Sequence, residues 1–502
     1  MFGYRTILTE APRPDAIRRN PMAPWLAVGV VCFGAFMGQL DASIVTLTFR
    51  PMERDFGAPL AAVQWVSLAY LLVLVALVTP AGRIADAIGR KLVYGQGFVV
   101  FTIGSAACGL APSLRILIIC RVIQAVGAAM LQANSVALVT TSVPRAQMRL
   151  ALSVQAAAQA VGLGLGPTLG GLLTQTDGWR AVYWINVPVG IVAVIAGRYL
   201  LPRTRQRNQT DSFDWIGASL LGAATTALLV ALSVVGGLPA PGWFAAVMAA
   251  LAGVAAAAFA VRQLRARFPL IPMHLLRSPR IVLGLAGAML GYLTLFGPLV
   301  LIPQLQQGHG NVVRTGLMLS ALPVGFGVAA LIAERIFPPA MPNRTRGSIG
   351  AAICAVALVL LMFLDGSAVA VVLLLALAGL GLGVFVPANN AVILRTGTAS
   401  GAGVLGGLVN MARGIGTTLG IALVTLALHV GTVHLGTGHL SMGPVDTGGG
   451  AVHAGHPDGT LAFLILAAAA ACAAVIAMTV RPLGPSGPEP DAARLDQGHA
   501  FS

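Results

Sequence analysis

Asp41 lies in Gln39-Leu-Asp-Ala-Ser-Ile-Val45, inside an apolar run that begins near residue 25. A lone charge at the centre of a bilayer costs about 2.5–3.5 kcal/mol on insertion scales, so it must face a partner or a wet cavity. Two chemistries are open to it: a buried ion pair that only holds helices together, or the uptake and release of a proton or cation. Arg121, in another apolar run, is the candidate partner. Arg121, Gln124, Ala128, Gln132 and Ser135 follow one another at spacings of 3, 4, 4 and 3, which places them on one helix face. A polar stripe on a membrane helix faces protein or water rather than lipid. A neighbouring arginine favours an ionised carboxylate and burial disfavours it. With the two effects opposed, a small movement could load or release a proton.

Three further strings carry physical signals. Gln155, Gln159, Gly162, Gly166 and Gly170 are spaced 4, 3, 4 and 4 and share a face; the core reads Gly162-Leu-Gly-Leu-Gly-Pro-Thr-Leu-Gly-Gly171. Small residues let a neighbouring helix approach closely, and Pro167 removes a backbone donor and bends the helix. By itself this reads as a packing seam. Gly82-Arg-Ile-Ala-Asp-Ala-Ile-Gly-Arg-Lys91 reads as a loop in which Gly82 and Gly89 permit turns and Asp86 meets Arg83, Arg90 and Lys91. Asn410, Arg413, Thr417 and Gly420 form a polar face that either lines a cavity or packs against the rest of the protein. Gln124, Gln155, Gln159, Asn410 and Arg413 are the candidate cavity residues. His434, His439, His453 and His456, in a Gly-rich segment from Gly431 to Gly459, are spaced 5, 14 and 3 and match no compact metal motif. Cys32, Cys108, Cys120, Cys354 and Cys472 are scattered through apolar runs and read as small hydrophobes. No metal site is expected.

The elements that must hold these residues follow from composition. Of 502 residues, 57% are hydrophobic and only 9% charged, against roughly 25% charged in a soluble domain. Lipid, not water, must therefore meet most side chains. About fourteen apolar runs approach the roughly 20 residues a spanning helix requires. They lie near 25–48, 60–80, 92–111, 114–138, 150–174, 181–201, 214–235, 243–262, 281–304, 315–336, 347–364, 369–394, 402–431 and 459–480. The net charge is +15, but the basic residues are dispersed between apolar runs, which excludes a nucleic-acid surface. With the N-terminus inside, 24 of the 31 Lys and Arg fall on the cytosolic side and five outside, leaving Arg121 and Arg413 within the membrane. The positive-inside rule selects this topology, with both termini cytoplasmic. The expected organisation is a tail over 1–24, a six-helix bundle over 25–201, a linker with two extra helices over 202–280, a second six-helix bundle over 281–480, and a tail over 481–502. Six-plus-six is a transporter layout.

Together these strings resemble the major facilitator superfamily, in its 14-helix drug:proton antiporter branch. Gly82 to Lys91 looks like the loop motif G-x-x-x-D-x-x-G-R-[KR]. Arg121-Val-Ile-Gln-Ala-Val-Gly127 is similar to R-x-x-Q-G-x-G, and Gly162 to Gly171 to the antiporter motif G-x-x-x-G-P-x-x-G-G. Leu40-Asp-Ala-Ser-Ile-Val45, Trp65-Val-Ser-Leu-Ala-Tyr70, Trp179-Arg180 and Ile185-Asn-Val-Pro-Val-Gly190 also fit. The resemblance implies an all-α membrane protein of the major facilitator fold, with two six-helix bundles and two central helices. It implies a non-enzymatic, proton-coupled exporter of amphipathic small molecules in the bacterial cytoplasmic membrane. It would work as a monomer without a cofactor, with the proton gradient as its energy source. Asp41 would be the protonation site and Arg121 its modulator. Gly82, Asp86, Gly89, Arg90 and Lys91 would form a conformational lock. Gly162, Gly166, Pro167, Gly170 and Gly171 would set the bend and seam of helix five. A proton-coupled importer on the same fold is the first rival, and a membrane sensor is the next. Ala125 stands where the helix-four motif has glycine, which predicts looser packing there. Residues 331–347 lack the Gly/Asp frame of the loop motif, which predicts a one-sided lock.

Overall fold

A computed structural model describes residues 10, 13–144, 147–203, 214–266, 269, 275, 277–306, 312–338, 341–363, 367–396, 402–437 and 459–479. All regular structure among them is helical. Fourteen long helices succeed one another: α1 Ala23–Ile44, α2 Trp65–Ile88, α3 Arg90–Gly109, α4 Leu114–Ser142, α5 Met148–Thr176, α6 Asn186–Leu200, α7 Trp215–Val235, α8 Gly242–Arg265, α9 Pro279–Leu305, α10 Val312–Ile336, α11 Asn343–Met362, α12 Ala368–Thr396, α13 Ala402–Thr437 and α14 Thr460–Thr479. Among the described residues, thirteen helical segments are long and apolar enough to cross a membrane. They coincide with thirteen of the expected runs, and α5, 29 residues long, occupies the remaining one. Because a lipid-facing backbone must satisfy its own polar groups, apolar runs of this length become helices with little freedom.

The first six helices pack on one another through α1 against α5 and α4, α3 against α4 and α6, and α2 against α4. The last six do so through α10 and α11 against α12, α9 against α13, and α11 against α14. The main joints between these halves are α5 with α10 and α2 with α13. The additional pair is asymmetric. α7 touches α2 and α13, whereas the main contact of α8 is with α7. At its far end α7 holds Ser233, whose hydroxyl accepts from Gln64 Nε2 and from Trp65 Nε1, both at 3.2 Å. The helix pair thus rests across the α2–α13 seam.

Two expectations need correction. Gly82–Lys91 is not a loop: α2 runs through Ile88, and only Gly89, at φ 122°, breaks it before α3 starts at Arg90. A residue with a side chain is strained at that φ, whereas Gly82 is simply helical, with 3.8 Å between its virtual Cβ and Ala133. Nor does Ala125 loosen helix four. It is fully buried, and α3 and α4 meet backbone to backbone where Gly104 faces Gln124 and Gly127 faces Phe101. The closeness comes from glycines on both helices rather than from the motif position alone.

Candidate functional site

The face of the bundle carrying Gly89 and the start of α1 is called the near face here, and the face carrying Val45–Gln64 the far face. Asp41 sits one turn before α1 gives way to the 3-10 turn Val45–Thr48, and Arg121 stands in the second turn of α4. The pair therefore lies in the far half of the bundle, closer to that face than a mid-span position. Neither residue is accessible: Asp41 is 0% and Arg121 1% exposed.

Three side-chain nitrogens converge on the Asp41 carboxylate. Arg121 Nη1 donates to Oδ2 at 2.7 Å, Gln124 Nε2 to Oδ1 at 2.9 Å, and Asn186 Nδ2 to Oδ1 at 3.2 Å. All are N–H donors, the hydrogen-bond pattern of an ionised carboxylate. Arg121 has its own supports. Its Nε donates to the Val66 carbonyl at 3.0 Å and its Nη1 to Gln124 Oε1 at 2.8 Å. Its guanidinium carbon lies 4.1 Å from the Tyr70 ring centroid and 5.6 Å from that of Tyr183. Asn186 is held in turn, donating to Ser105 Oγ at 3.2 Å, and Ser105 donates to the Tyr183 carbonyl at 2.8 Å. The network ties α1, α2, α3, α4 and α6 together. A charge-assisted network of this kind is strong only while every member is satisfied, and here the charge of Asp41 is the keystone. If Asp41 takes a proton, Arg121 keeps Val66, Gln124 and the Tyr70 face, so it need not move to remain bound.

The glycine face of α5 packs on α1 around this site. A Cβ on Gly162 would meet the Phe36 carbonyl, on Gly166 the Ser43 hydroxyl, and on Gly170 the Ile44 carbonyl at 2.8 Å. The opposite face of α5 meets α10. Gly171 lies against Val312, Gly164 against Val324, and Gly316 of α10 against the Pro167 carbonyl. Thr168 and Ser320 hydroxyls share a hydrogen bond at 2.6 Å. Helix five is thus wedged between the Asp41 helix and the other half. In the far half, Arg50 Nε also donates to Gln304 Oε1 of α9 at 2.7 Å, a second tie between the halves.

The sequence candidates do not all assemble. Gln124, expected in a cavity, belongs to the Asp41 network. Gln155 and Gln159 continue the glycine face toward α1, and Gln155 Nε2 is buried without a partner among the described residues. Asp86 pairs with Arg90 at 2.8 Å on the half-exposed near face. Lys91 is buried and donates to the Leu201 carbonyl at 2.8 Å, tying α3 to the end of α6. Asn410 and Arg413 lie on α13, where Gly416 and Gly420 meet α9 and Gly414 meets α2. The arc holding Asn410, Arg413 and Thr417 falls between those two contacts and faces the interior between the halves. The side chains of His434, His439, His453 and His456 lie outside the described residues. The members that sequence reasoning missed are Asn186, Ser105, Tyr70 and the Val66 carbonyl. Tyr70 and Asn186 stood in strings already singled out, but nothing in their spacing aims them at Asp41.

A family model for the Major Facilitator Superfamily matches residues 31–421. The chain is 30% identical over 438 residues to the tetracenomycin C resistance and export protein of Streptomyces glaucescens, covering 83% of this chain and 80% of that one. It is 32% identical to the multidrug resistance protein Stp of Mycobacterium tuberculosis (strain CDC 1551 / Oshkosh), covering 81% of this chain and 76% of the relative. The riboflavin transporter RibZ of Clostridioides difficile (strain 630) is 35% identical over a shorter stretch, 42% of this chain and 46% of the relative. Among solved structures, the POT family transporter PepTSo superposes with a TM-score of 0.64 at 14% identity, over 91% of this chain and 96% of that one. The superposition shares the fold, the family model and the relatives agree, and the chain belongs to the Major Facilitator Superfamily, a family of membrane transporters.

Proposed function

We propose that this transporter is a proton-coupled exporter of amphipathic small molecules, working by alternating access in a bacterial cytoplasmic membrane. The observation that carries the reading is the sealed Asp41–Arg121–Gln124–Asn186 network. It is supported by relatives whose names describe drug resistance and export. The near face, where most of the described basic residues stand, is taken as cytoplasmic. Arg50–Gln304 and Thr168–Ser320 tie the two halves together on the far side. Opening that half would bring outside water to Asp41, which stands beside the Val45–Thr48 turn. A proton taken there would cancel the carboxylate charge, loosen α1 from α4 and α6, and be released on the cytoplasmic side after the halves rock. Helix five, touching α1 on one face and α10 on the other, would convey the change across the seam. Asp86 and Arg90 would steady the near face in one state. No cofactor is required: one charge moved through 100 mV supplies about 2.3 kcal/mol. The protein would act as a monomer, with lipid, protons and substrate as its partners.

The test is substrate-induced proton release from the purified full chain in detergent, with a panel of amphipathic drugs. Wild type should release protons and Asp41→Asn none, because asparagine keeps the shape but carries no titrating group near neutral pH. Undiminished release from Asp41→Asn would remove Asp41 from the mechanism. RibZ, whose name gives no direction of transport, keeps import open as a second reading. Energised cells expressing the protein should accumulate less drug; greater accumulation would favour import.

A further inference from the structure

Among the described residues, the second membrane-embedded arginine has no acid to balance it. Arg413 is the twelfth residue of α13, near the middle of the membrane, on the arc that faces the space between the halves. Among the described residues no ion pair includes it. The sequence places no carboxylate besides Asp41 deep within a span, and Asp41 is already held by three donors. Arg413 Nη1 reaches Asn410 Oδ1 only at 3.5 Å, and its Nε is buried without a hydrogen-bond partner. Its guanidinium carbon stands 5.1 Å from the Tyr292 ring centroid, and Tyr292 stacks on Phe296 at 6.4 Å and 20°.

The contrast with Arg121 is informative. That guanidinium is charge-paired with a carboxylate and also bonded, through Nε and Nη1, to a side-chain amide and a backbone carbonyl. A purely structural arginine at this depth needs the same, because an unmatched buried charge is costly. Arg413 keeps donors in hand, in a fork whose geometry fits a planar carboxylate or phenolate. The Tyr292 ring beside it offers a flat apolar surface to whatever carries that group.

We propose that Arg413, with Asn410 and Tyr292, recognises an acidic group on the transported molecule: a carboxylate or an ionised phenol or enol on a flat apolar body. The proposal rests on the transport reading above and specifies its substrate class. Thr417, one turn along, donates its hydroxyl to the Arg413 carbonyl at 3.0 Å. Substrate binding would supply the counter-charge that the protein itself withholds.

Two dyes on one xanthene framework test this: fluorescein, an anion, and rhodamine 6G, a cation. Binding to the purified full chain is followed by fluorescence anisotropy. Wild type should bind fluorescein at least tenfold more tightly than rhodamine 6G. Arg413→Gln should weaken fluorescein at least tenfold and leave rhodamine 6G unchanged or tighter, which also reports that the variant is folded. Arg413→Lys should fall between, keeping charge without the fork. Equal or stronger binding of rhodamine 6G by wild type overturns the proposal. So does unchanged fluorescein binding by Arg413→Gln, or a wild type that binds neither dye. The transport reading fails separately. Rhodamine 6G extruded on a pH gradient without fluorescein binding would spare the exporter and reject the anion site. Fluorescein bound with no proton-driven flux of either dye would do the reverse.

Discussion

Gly166→Ala is the smallest change that should reach the proposed proton site from another helix. The new methyl would overlap the Ser43 hydroxyl, and it would lie 2.8 Å from Ser43 Cβ and 3.1 Å from the Ile44 amide nitrogen. Ser43 cannot swing aside freely, because its hydroxyl donates back to the Gln39 and Leu40 carbonyls at 3.0 and 3.2 Å. Giving up that bonding costs about 0.5–1.5 kcal/mol. Forcing the helices apart instead costs about 1–3 kcal/mol, as for other overpacked cores. Ser43 is two residues from Asp41, so a shift of α1 falls directly on the 2.7 Å contact with Arg121. If the strain is felt in the rate-limiting state, 1–3 kcal/mol translates into about a five- to 150-fold loss of turnover. The assay is pH-gradient-driven dye flux in everted vesicles, normalised to the amount of monodisperse protein. The control is Ser43→Gly, which removes both the hydroxyl and Cβ; combined with Gly166→Ala it should recover most of the flux, giving a large coupling in the double-mutant cycle. Wild-type flux from Gly166→Ala would refute the close approach. An additive double mutant would show that the loss does not pass through Ser43.

Asp86→Asn should slow dye turnover less than about fivefold and leave binding affinity intact, because half-exposed ion pairs such as Asp86–Arg90 contribute only about 0–1 kcal/mol; equal losses in affinity and turnover would contradict a lock on the near face. Gly89→Ala should lower the melting temperature measured in detergent through backbone strain of about 1–3 kcal/mol at φ 122°, and Gly82→Ala, which has room for its methyl, should not. Ser233→Ala removes the shared acceptor of Gln64 and Trp65. It should raise hydrogen exchange at the far end of α7 while leaving α3 and α4 unchanged, and protection equal to wild type would show that α7 is held by packing alone.

Much of the fold was legible because the bilayer imposes so narrow a rule. Runs of apolar residues of spanning length leave helix as the available answer, and the scarcity of charge makes each exception conspicuous. Asp41 and Arg121 stood out for that reason, and the structure brings them together. What stayed hidden is azimuth and depth. The 3.6-residue period tells which residues share a face of α5 but not that Gln155 and Gln159 look toward α1. It joins Gln124 to Arg121 on α4 but is silent on the carboxylate that both meet. Asn186 and Ser105 are ordinary residues in apolar surroundings, and only tertiary packing turns them toward Asp41. Gly82–Ile88 reads as a loop because charges and glycines cluster there. Yet Asp86 and Arg90 pair at a helical spacing across Gly89, and the chain remains helical up to that residue.

The seam between α5 and α10 bears on how the protein should respond to temperature. Where these helices meet, glycines lie against backbone: Gly316 on the Pro167 carbonyl, and Gly171 on the Val312 carbonyl. A seam of interlocked large side chains would have to withdraw many rotamers and wet much apolar surface in order to slide. Exposure of apolar surface is what gives a step its heat-capacity change and bends its Eyring plot. A smooth seam exposes little, so the rocking step should follow a nearly straight Arrhenius line. Turnover measured across the working range should then give one activation enthalpy, for as long as the surrounding lipid stays fluid.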